Sequence, residues 1–431
     1  MPETTPPPSG PLAGASGREL RELQQFLLYL GSALTAAGEA VNEVEEYLRR
    51  VAAAYGAPQA RVSVLPTYLV LALEPGRPAT LEPTRQLRGV LRLDQTAALF
   101  EVLKAAERGE PSPEEGSRRV REIVDMRPRF GASVTILGHV VLTVGICLVL
   151  QPTWGDLALA ALFGALVAVF KRVGGRWRSV QMILPVAASF AVAAITFLLA
   201  GQGWAEADLR AMIAPLVTFL PGAALTMAVV ELSAGEMITG ASRLVAGTVQ
   251  LLLLGFGIVG AAQVVGLPSV DALVDAPANL LGWWAPWVGV LLVGMGNYLF
   301  FSAPRGSLGW LLLVLYAAWI GQYLGDQALG GYLSGFVGAI VMTPVAYLVE
   351  RRPSGPPALV SFLPAFWLLV PGALGLIGVT EYLGKDALAG VQDFLGAVGS
   401  MVAIGLGVLC GYPLYRSLAR SLGWLRELGT G

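Results

Sequence analysis

Two glutamates in apolar stretches of the chain could bind and release protons. Glu231 and Glu381 lie 150 positions apart, and each follows a Pro-Gly pair (Pro221-Gly222 or Pro371-Gly372) by ten residues. Ten helical residues rise about 15 Å, so the two carboxylates are expected near opposite faces of a membrane. Ionisable groups there are costly to place, which makes both glutamates candidates for proton coupling or gating. The alternative is interfacial charge at a helix end.

Three more ionisable residues are candidates for proton coupling or gating. Arg243 and Asp393 are also 150 positions apart and carry opposite charges, so they could form a gate or mark an interface. His139, the single histidine, lies about eight residues into the first long apolar stretch. A proton relay would use its titration, whereas a structural histidine would hydrogen-bond between helices.

The Pro-Gly pairs also indicate where a substrate could bind. Proline removes a backbone donor and glycine frees the backbone, so Pro221-Gly222 and Pro371-Gly372 predict broken helices, with a plain proline kink as the alternative. Broken helices expose polar ends, which membranes tolerate where the ends are buried or line a wet cavity. Thr218, Thr226 and Asn297 are nearby candidates for substrate binding, although such residues also serve as packing contacts between helices.

The two pairs belong to an internal repeat. Leu220–Ala223 (LPGA) recurs as VPGA at 370–373, and the same ungapped register matches Gly240 with Gly390 and Gly255 with Gly405. Each copy holds five apolar stretches, an odd number, so the second copy would be inverted relative to the first. Inverted repeats are typical of secondary transporters.

Composition separates a charged region from an apolar one. Hydrophobic residues make up 55% of the 431-residue chain and charged residues 14%, against roughly 25% in soluble domains. Residues 1–130 hold 33 of the 59 charged residues. This excludes a soluble globular enzyme and a nucleic-acid binder, because no basic surface is available for phosphates. Cys147 and Cys410 are expected to be free thiols, and the sequence predicts no cofactor and no metal site.

Hydropathy predicts an α-helical polytopic membrane protein with about ten transmembrane helices. The ten spans are roughly 132–150, 156–170, 180–200, 211–231, 243–265, 284–301, 307–324, 330–349, 358–380 and 389–415. Eleven of the 13 Lys and Arg residues beyond residue 130 then lie on one side, with Arg210 and Lys385 on the other. The positive-inside rule places both termini in the cytoplasm, in the inner (cytoplasmic) membrane of a cell.

The domain boundaries follow from these patterns. They are a disordered tail 1–17, a small cytoplasmic α/β domain 18–130, a first repeat of five helices 131–266, a second, inverted repeat of five helices 283–415, and a cytoplasmic tail 416–431. The bilayer and a small-molecule substrate are the expected partners. Whether the chain forms a homo-oligomer is left open by the sequence.

Within residues 18–130 the sequence predicts two helices, then three strands, then two further helices. Glu19 to Tyr55 should form two helices divided near Gly38, and Val41, Val44, Leu48, Val51 and Tyr55 should share one face. Strands are expected at 61–65, 68–73 and 87–93. Helices should follow from Asp94, as N-cap, to about Arg108, and after the N-cap Ser112. An acidic cluster of Glu39, Glu43, Glu45 and Glu46 could be a solvated face or a ligand or cation site.

These features resemble the threonine/serine exporter family. The resemblance is carried by GEAVNEVE at 38–45 with AAAYG at 52–56, by Leu220-Pro221-Gly222 followed by Glu231 and Gly240, and by the second copy from Pro371 to Gly390. It implies a cytoplasmic domain before ten spans, and efflux of small carboxylate-bearing metabolites driven by the proton motive force. In some relatives the two halves are separate chains, and such pairs are associated with succinate export.

The resemblance therefore implies a secondary active exporter of threonine and serine, with dicarboxylates such as succinate as the alternative substrate. A membrane-embedded enzyme is disfavoured, because no nucleophile–base pair or metal-ligand set occurs in the spans. A passive channel would suit broken helices, but two inverted halves favour alternating access. No ATP-binding motif is present, which disfavours a primary pump.

Overall fold

The chain divides into two compact units. The computed structural model describes residues 17–73, 79–83, 90–150, 152–202, 209–266, 281–369, 371–384 and 387–428. The N-terminal unit holds the described residues up to Arg127 together with Glu231–Thr239. The membrane unit holds Pro128–Val230 and the described residues from Gly240 onwards.

The described part of the N-terminal unit contains helices and a small antiparallel sheet. Its elements are α1 (Gly17–Ala37), α2 (Val41–Ala54), β1 (Arg61–Val64), β2 (Tyr68–Ala72), β3 (Thr80–Pro83), α3 (Leu93–Glu107) and α4 (Pro113–Val124). The strand order is β1-β2-β3, and Val62 lies opposite Leu71 in the first pairing.

The core of this unit is built on α1 and α2. The predicted face of α2 is confirmed for Val41, Val44, Leu48 and Val51, all fully buried. From α1 the fully buried residues are Phe26, Leu27, Leu30, Ala33 and Leu34. Both sets recur at steps of three and four, the spacing that keeps apolar side chains on one helical face.

Three details of this unit differ from the expectations. The predicted strand at 87–93 is wrong where the structure describes it: 84–89 lie outside the described residues, 90–92 form no strand, and α3 begins at Leu93. The helix starts before Asp94 because the Gln95 side chain accepts the Arg92 amide at 3.0 Å. Strand β3 was not predicted, since its four residues end in proline and carry no clear alternation.

Helices dominate the membrane unit. They are α5 (Ala132–Val149), α6 (Trp154–Gly174), α7 (Arg178–Gly201), α8 (Leu209–Ile213), α9 (Gly222–Ser233), α10 (Met237–Val265), α11 (Ala285–Phe300), α12 (Leu308–Leu329), α13 (Ser334–Glu350), α14 (Ala358–Leu368), α15 (Pro371–Gly384) and α16 (Ala387–Leu428). The end of α9 and the start of α10 belong to the N-terminal unit.

The length and composition of these helices identify a polytopic membrane protein. Six helices in the described part of the chain are long and apolar enough to cross a bilayer, or seven if the bent pair Ala211–Phe219 and Gly222–Ser233 is one span. Helices α11, α13 and α14 are apolar but shorter. The count of ten spans therefore stays a prediction.

Helices α5 and α11, which begin the two sequence copies, pack backbone against backbone. A Cβ atom on Gly145 would lie 2.6 Å from the Val293 nitrogen, and one on Gly296 would overlap the Leu142 nitrogen. The positions in one contact map onto those in the other by a constant shift of 151 residues, since 142 corresponds to 293 and 145 to 296. The interface is thus made of two equivalent halves.

A second pair of contacts follows the same shift. A Cβ on Gly138 would lie 2.7 Å from the Phe300 nitrogen, and one on Gly289 would lie 2.9 Å from the Val149 side chain. Early residues of α5 meet late residues of α11, so the two helices run antiparallel. Small residues are what allow membrane helices to approach this closely.

We expect Gly296→Ala to destabilise the protein. The added methyl overlaps backbone, which cannot rotate away as a side chain could, so overpacking should cost about 1–3 kcal/mol. Thermal unfolding of the purified protein in detergent measures the loss. The matched control is Gly309→Ala in α12, where nothing lies within 4 Å of the added atom. Equal unfolding temperatures for both variants would contradict the close α5–α11 packing.

Candidate functional site

The helix predicted to break at Pro221 does break. Helix α8 continues as a 3₁₀ helix over Ala214–Phe219, Leu220 is extended, and α9 begins at Gly222. The two parts meet at a bend of 56°. Pro221 lacks an amide proton and forces the preceding residue out of the helical region, which explains both the break and its position. Leu220-Pro221 is called the first break below.

Side chains from two other helices satisfy the carbonyls freed at the first break. Lys171, in the last turn of α6, donates from Nζ to the Thr218 oxygen at 3.0 Å. Gln250 of α10 donates from Nε2 to the Phe219 oxygen at 3.4 Å. The Lys171 ammonium also lies 4.2 Å from the centre of the Phe219 ring, a cation–π distance. Specific hydrogen-bond donors therefore stabilise the broken helix.

His139 holds the same residue from the other side. Its Nδ1 lies 2.8 Å from the Gly164 carbonyl oxygen and its Nε2 lies 3.0 Å from the Thr218 hydroxyl. A carbonyl can only accept, so Nδ1 carries a proton, and in the neutral ring Nε2 accepts from Thr218. The ring is fully buried and packs edge-on against Phe300 at 4.8 Å. His139 thus joins α5 to α6 and to the first break.

This arrangement places a cation at an opened helix end. Lys171 forms no ion pair with any carboxylate in the described part of the chain. An ammonium with one carbonyl and one aromatic face as partners can still receive an anion.

The second copy has a matching contact. Helix α14 ends at Leu368 and α15 begins at Pro371, which defines the second break. Gln322 of α12 donates from Nε2 to the Leu369 oxygen at 3.5 Å. Gln322 lies 151 positions after Lys171, the shift that relates the α5–α11 contacts. Counted from the Pro-Gly pairs, which lie 150 positions apart, Leu369 corresponds to Phe219, the neighbour of Thr218.

Two predicted substrate-binding residues are not hydrogen-bonded to this cluster. Thr226 is fully buried in α9, and its hydroxyl has no hydrogen-bond partner among the described residues. Asn297 is fully buried in α11, where its amide nitrogen donates to the Val293 oxygen at 2.9 Å. Of the predicted substrate residues, Thr218 alone is hydrogen-bonded to His139 in the described part of the chain.

Glu231 lies in the N-terminal unit, where it caps a helix. The residue is fully buried, and its Oε1 accepts the Val41 amide at 3.2 Å. Val41 is the first residue of α2, and the preceding Ala40 provides no side-chain cap. A carboxylate at a helix amino end satisfies a free amide and interacts favourably with the helix dipole. Glu231 supplies this carboxylate from 190 positions away.

The rest of this segment also approaches α2. Burial raises the pKa of Glu236, as does the nearby Glu45 carboxylate, whereas Arg49 lowers it. Glu45 itself is buried, accepts the Val64 amide at 2.9 Å and pairs with Arg49 at 2.6 Å. This carboxylate of the acidic cluster on α2 is therefore a structural residue that joins the helix to β1.

Several predicted residues have side chains outside the described residues. These are Pro371, Gly372, Glu381 and Asp393, of which the structure gives only the helical backbone. Lys385 and the tail 1–16 also lie outside the described residues. Arg243 lies half-buried in α10. Its proposed pairing with Asp393 stays a prediction.

Comparison with known families now identifies the chain. Residues 25–265 match the family model ThrE, described as "Putative threonine/serine exporter", over more than half of the sequence. The chain belongs to the threonine/serine exporter family. The match covers α2, most of α1 and the first repeat through α10, while the second copy lies beyond it. The exporter matches no curated protein and no solved structure.

Sequence reasoning missed three side chains of the exporter's breaks: Lys171, Gln250 and Gln322. Lys171 was counted among the basic residues of a connecting loop, although it belongs to α6. A shift of 151 applied to the first two helices of each copy would have aligned Lys171 with Gln322. No sequence signal pointed to Gln250.

We expect Glu231→Ala to loosen the start of α2 and Glu231→Gln to preserve it. The amide oxygen of glutamine can still accept the Val41 proton, whereas alanine leaves the amide without this acceptor, at a cost of about 1 kcal/mol. Hydrogen exchange of a peptide covering the first turn of α2, measured in the full-length exporter, reports the change. Glu46→Ala, an exposed position on the same helix, is the control. Unchanged exchange in Glu231→Ala would show that this cap contributes nothing.

Proposed function

We propose that this protein is a secondary active exporter of threonine and serine, driven by the proton motive force. In this proposal the substrate binds at the Pro-Gly breaks, and the two halves of the membrane unit alternate access around it. The single observation that carries the proposal is the first break. It lies within a predicted span, and its freed carbonyls are held by Lys171 and Gln250. Family membership supplies the substrate class.

The proposal includes two inverted repeats of five helices each, giving ten spans. Each copy runs through three helices, a broken helix and a final helix: α5–α10 and α11–α16. The antiparallel α5–α11 pair and the shared shift of 151 support this reading, because a two-fold axis in the membrane plane relates equivalent helices that run in opposite directions. Helices α11 and α13 and the pair α14–α15 would then be spans.

The proposed orientation places both termini in the cytoplasm of a cell with an inner membrane. It rests on the distribution of Lys and Arg between the loops. In this orientation the N-terminal unit is cytoplasmic. The segment Glu231–Thr239, which connects α9 to α10, would then reach the cytoplasmic side with it.

Proton coupling is assigned to the ionisable residues of both units. His139 is the candidate closest to the break, since it contacts Thr218 directly. Glu231 is the candidate gate, because it joins the end of α9 to the start of α2. Glu381, Arg243 and Asp393 keep their proposed gating roles by the symmetry of the sequence copies.

A dicarboxylate such as succinate is the second candidate substrate. The observation in its favour is the Lys171 ammonium, which pairs with no carboxylate in the described part of the chain and would bind a carboxylate of either substrate. Threonine carries one carboxylate and one ammonium, whereas succinate carries two carboxylates, so the two substrates differ in net charge.

Efflux from proteoliposomes separates these candidates. Vesicles containing the exporter are preloaded with labelled threonine or labelled succinate, and a proton gradient is imposed or omitted. We expect the gradient to accelerate threonine loss in a saturable manner, and a protonophore to abolish the acceleration. Protein-free vesicles are the control.

Other results would revise the proposal. Acceleration of succinate alone would move the substrate to dicarboxylates. Flux that rises linearly with concentration and ignores the gradient would indicate a channel. No flux above that of protein-free vesicles for either compound would overturn the proposed substrates.

A further inference from the structure

We propose that Lys171 binds the substrate carboxylate at the first break and thereby selects carboxylate-bearing substrates. This inference rests on the proposed function and assigns the residue that recognises the substrate. The two breaks differ in the residue that donates to the freed carbonyl.

The comparison separates the charge of Lys171 from its structural contact. Lys171 donates to Thr218 at the first break, and Gln322, at the equivalent position, donates to Leu369 at the second. A neutral amide is therefore sufficient to hold a carbonyl at such a break. The positive charge in the first copy is not needed for this contact, and an apolar environment disfavours it.

The direction of the side chain supports this view. Lys171 lies in the last turn of α6, from which a lysine would ordinarily extend toward the nearby membrane surface. Its ammonium instead reaches Thr218, whose hydroxyl is bonded to His139. His139 in turn contacts Gly164, seven residues earlier on α6. Lys171 is therefore connected through Thr218 and His139 to Gly164, seven residues earlier on the same helix.

The surroundings of the ammonium leave an anion as the missing partner. Its contacts in the described part of the chain are the Thr218 carbonyl and the rings of Phe219 and Phe300, at 4.2 and 5.7 Å. Each of these carries only partial negative charge. A substrate carboxylate would complete a charge-assisted hydrogen bond in a low-dielectric site, where such bonds are strong.

The same contact also provides a binding partner for the ammonium group of an amino-acid substrate. When the ammonium of Lys171 turns to the carboxylate, the Thr218 carbonyl loses its donor. That carbonyl then becomes an acceptor for the ammonium of the bound threonine or serine. The exchange keeps every polar group satisfied, which a site within a membrane requires.

The test compares threonine with threoninol, the alcohol that lacks the carboxylate. Binding of each compound is measured by competition against labelled threonine on purified exporter in detergent. In the wild type threonine should bind far more tightly than threoninol. We expect Lys171→Gln, which reproduces the residue of the second copy, to reduce this preference at least ten-fold by weakening threonine alone. Lys171→Arg should restore most of it.

The matched control is Arg172→Gln, which removes a charge from the adjacent, exposed position of the same helix. It should leave the preference unchanged. An unchanged preference in Lys171→Gln, or an equal loss in both glutamine variants, would overturn the assignment.

A second measurement uses the wild-type chain and needs no variant to fold. The sequence contains three lysines, Lys104, Lys171 and Lys385. Threonine and succinate should slow acylation of Lys171 by an amine-reactive reagent, read by peptide mass spectrometry, whereas threoninol should not. Lys104, in the N-terminal unit, reports any general loss of reactivity. Equal Lys171 labelling with and without substrate would overturn the assignment.

These outcomes distinguish the two proposals. If wild-type vesicles export threonine but Lys171 shows neither protection nor a change in preference, the assignment of Lys171 fails and the exporter stands. If neither threonine nor succinate is transported or protects Lys171, the proposed function and the assignment fail together.

Discussion

A broken helix frees backbone carbonyls that need new hydrogen-bond donors, and the polar contacts of the membrane unit around Pro221 follow from this constraint. Pro221 creates the break, and Lys171 and Gln250 supply the donors that the carbonyls need. Each donor comes from a different helix, so the break fixes α6 and α10 against the 3₁₀ segment. His139 joins α5 to the same segment through its hydrogen bond with the Thr218 hydroxyl. Four elements are thereby joined by the polar groups of two consecutive residues, Thr218 and Phe219.

The close approach of α5 and α11 is the second constraint, and it is purely steric. Glycines at equivalent positions of the two helices let their backbones touch, and the equivalence is kept by a shift of 151 that also relates Lys171 to Gln322. A repeat that preserves both packing and hydrogen bonding at one shift is consistent with the proposed two-fold axis. The copies differ at this position, where the first has a cation, Lys171, and the second has a neutral amide, Gln322.

The N-terminal unit depends on a long-range contact of its own. Helix α9 begins directly after the first break and contains Glu231 near its end. The Glu231 carboxylate accepts a hydrogen bond from the first amide of α2. Helix α9 thus begins at the first break, and its last residues belong to the N-terminal unit. In the same small region, burial and the nearby buried Glu45 carboxylate raise the pKa of Glu236.

The sequence by itself determined the features that depend on local patterns. Long apolar stretches identify the membrane class, Pro221 identifies the first break, Ser112 identifies the start of α4, and the spacing of Val41, Val44, Leu48 and Val51 identifies the buried face of α2. Each follows from backbone sterics or helix periodicity within a few residues. The sequence also identifies the family, because its motifs can be recognised without knowledge of any contact.

Only the tertiary structure decided which side chains meet. Lys171 looks like a loop charge until α6 is seen to extend past it and its ammonium reaches Thr218, 47 positions away. Glu231 looks like a membrane carboxylate until it caps α2, and no sequence pattern points to Gln250. The physical reason is that a freed carbonyl or amide specifies the kind of group it needs but not its place in the chain. Helix packing alone determines which residue comes within reach.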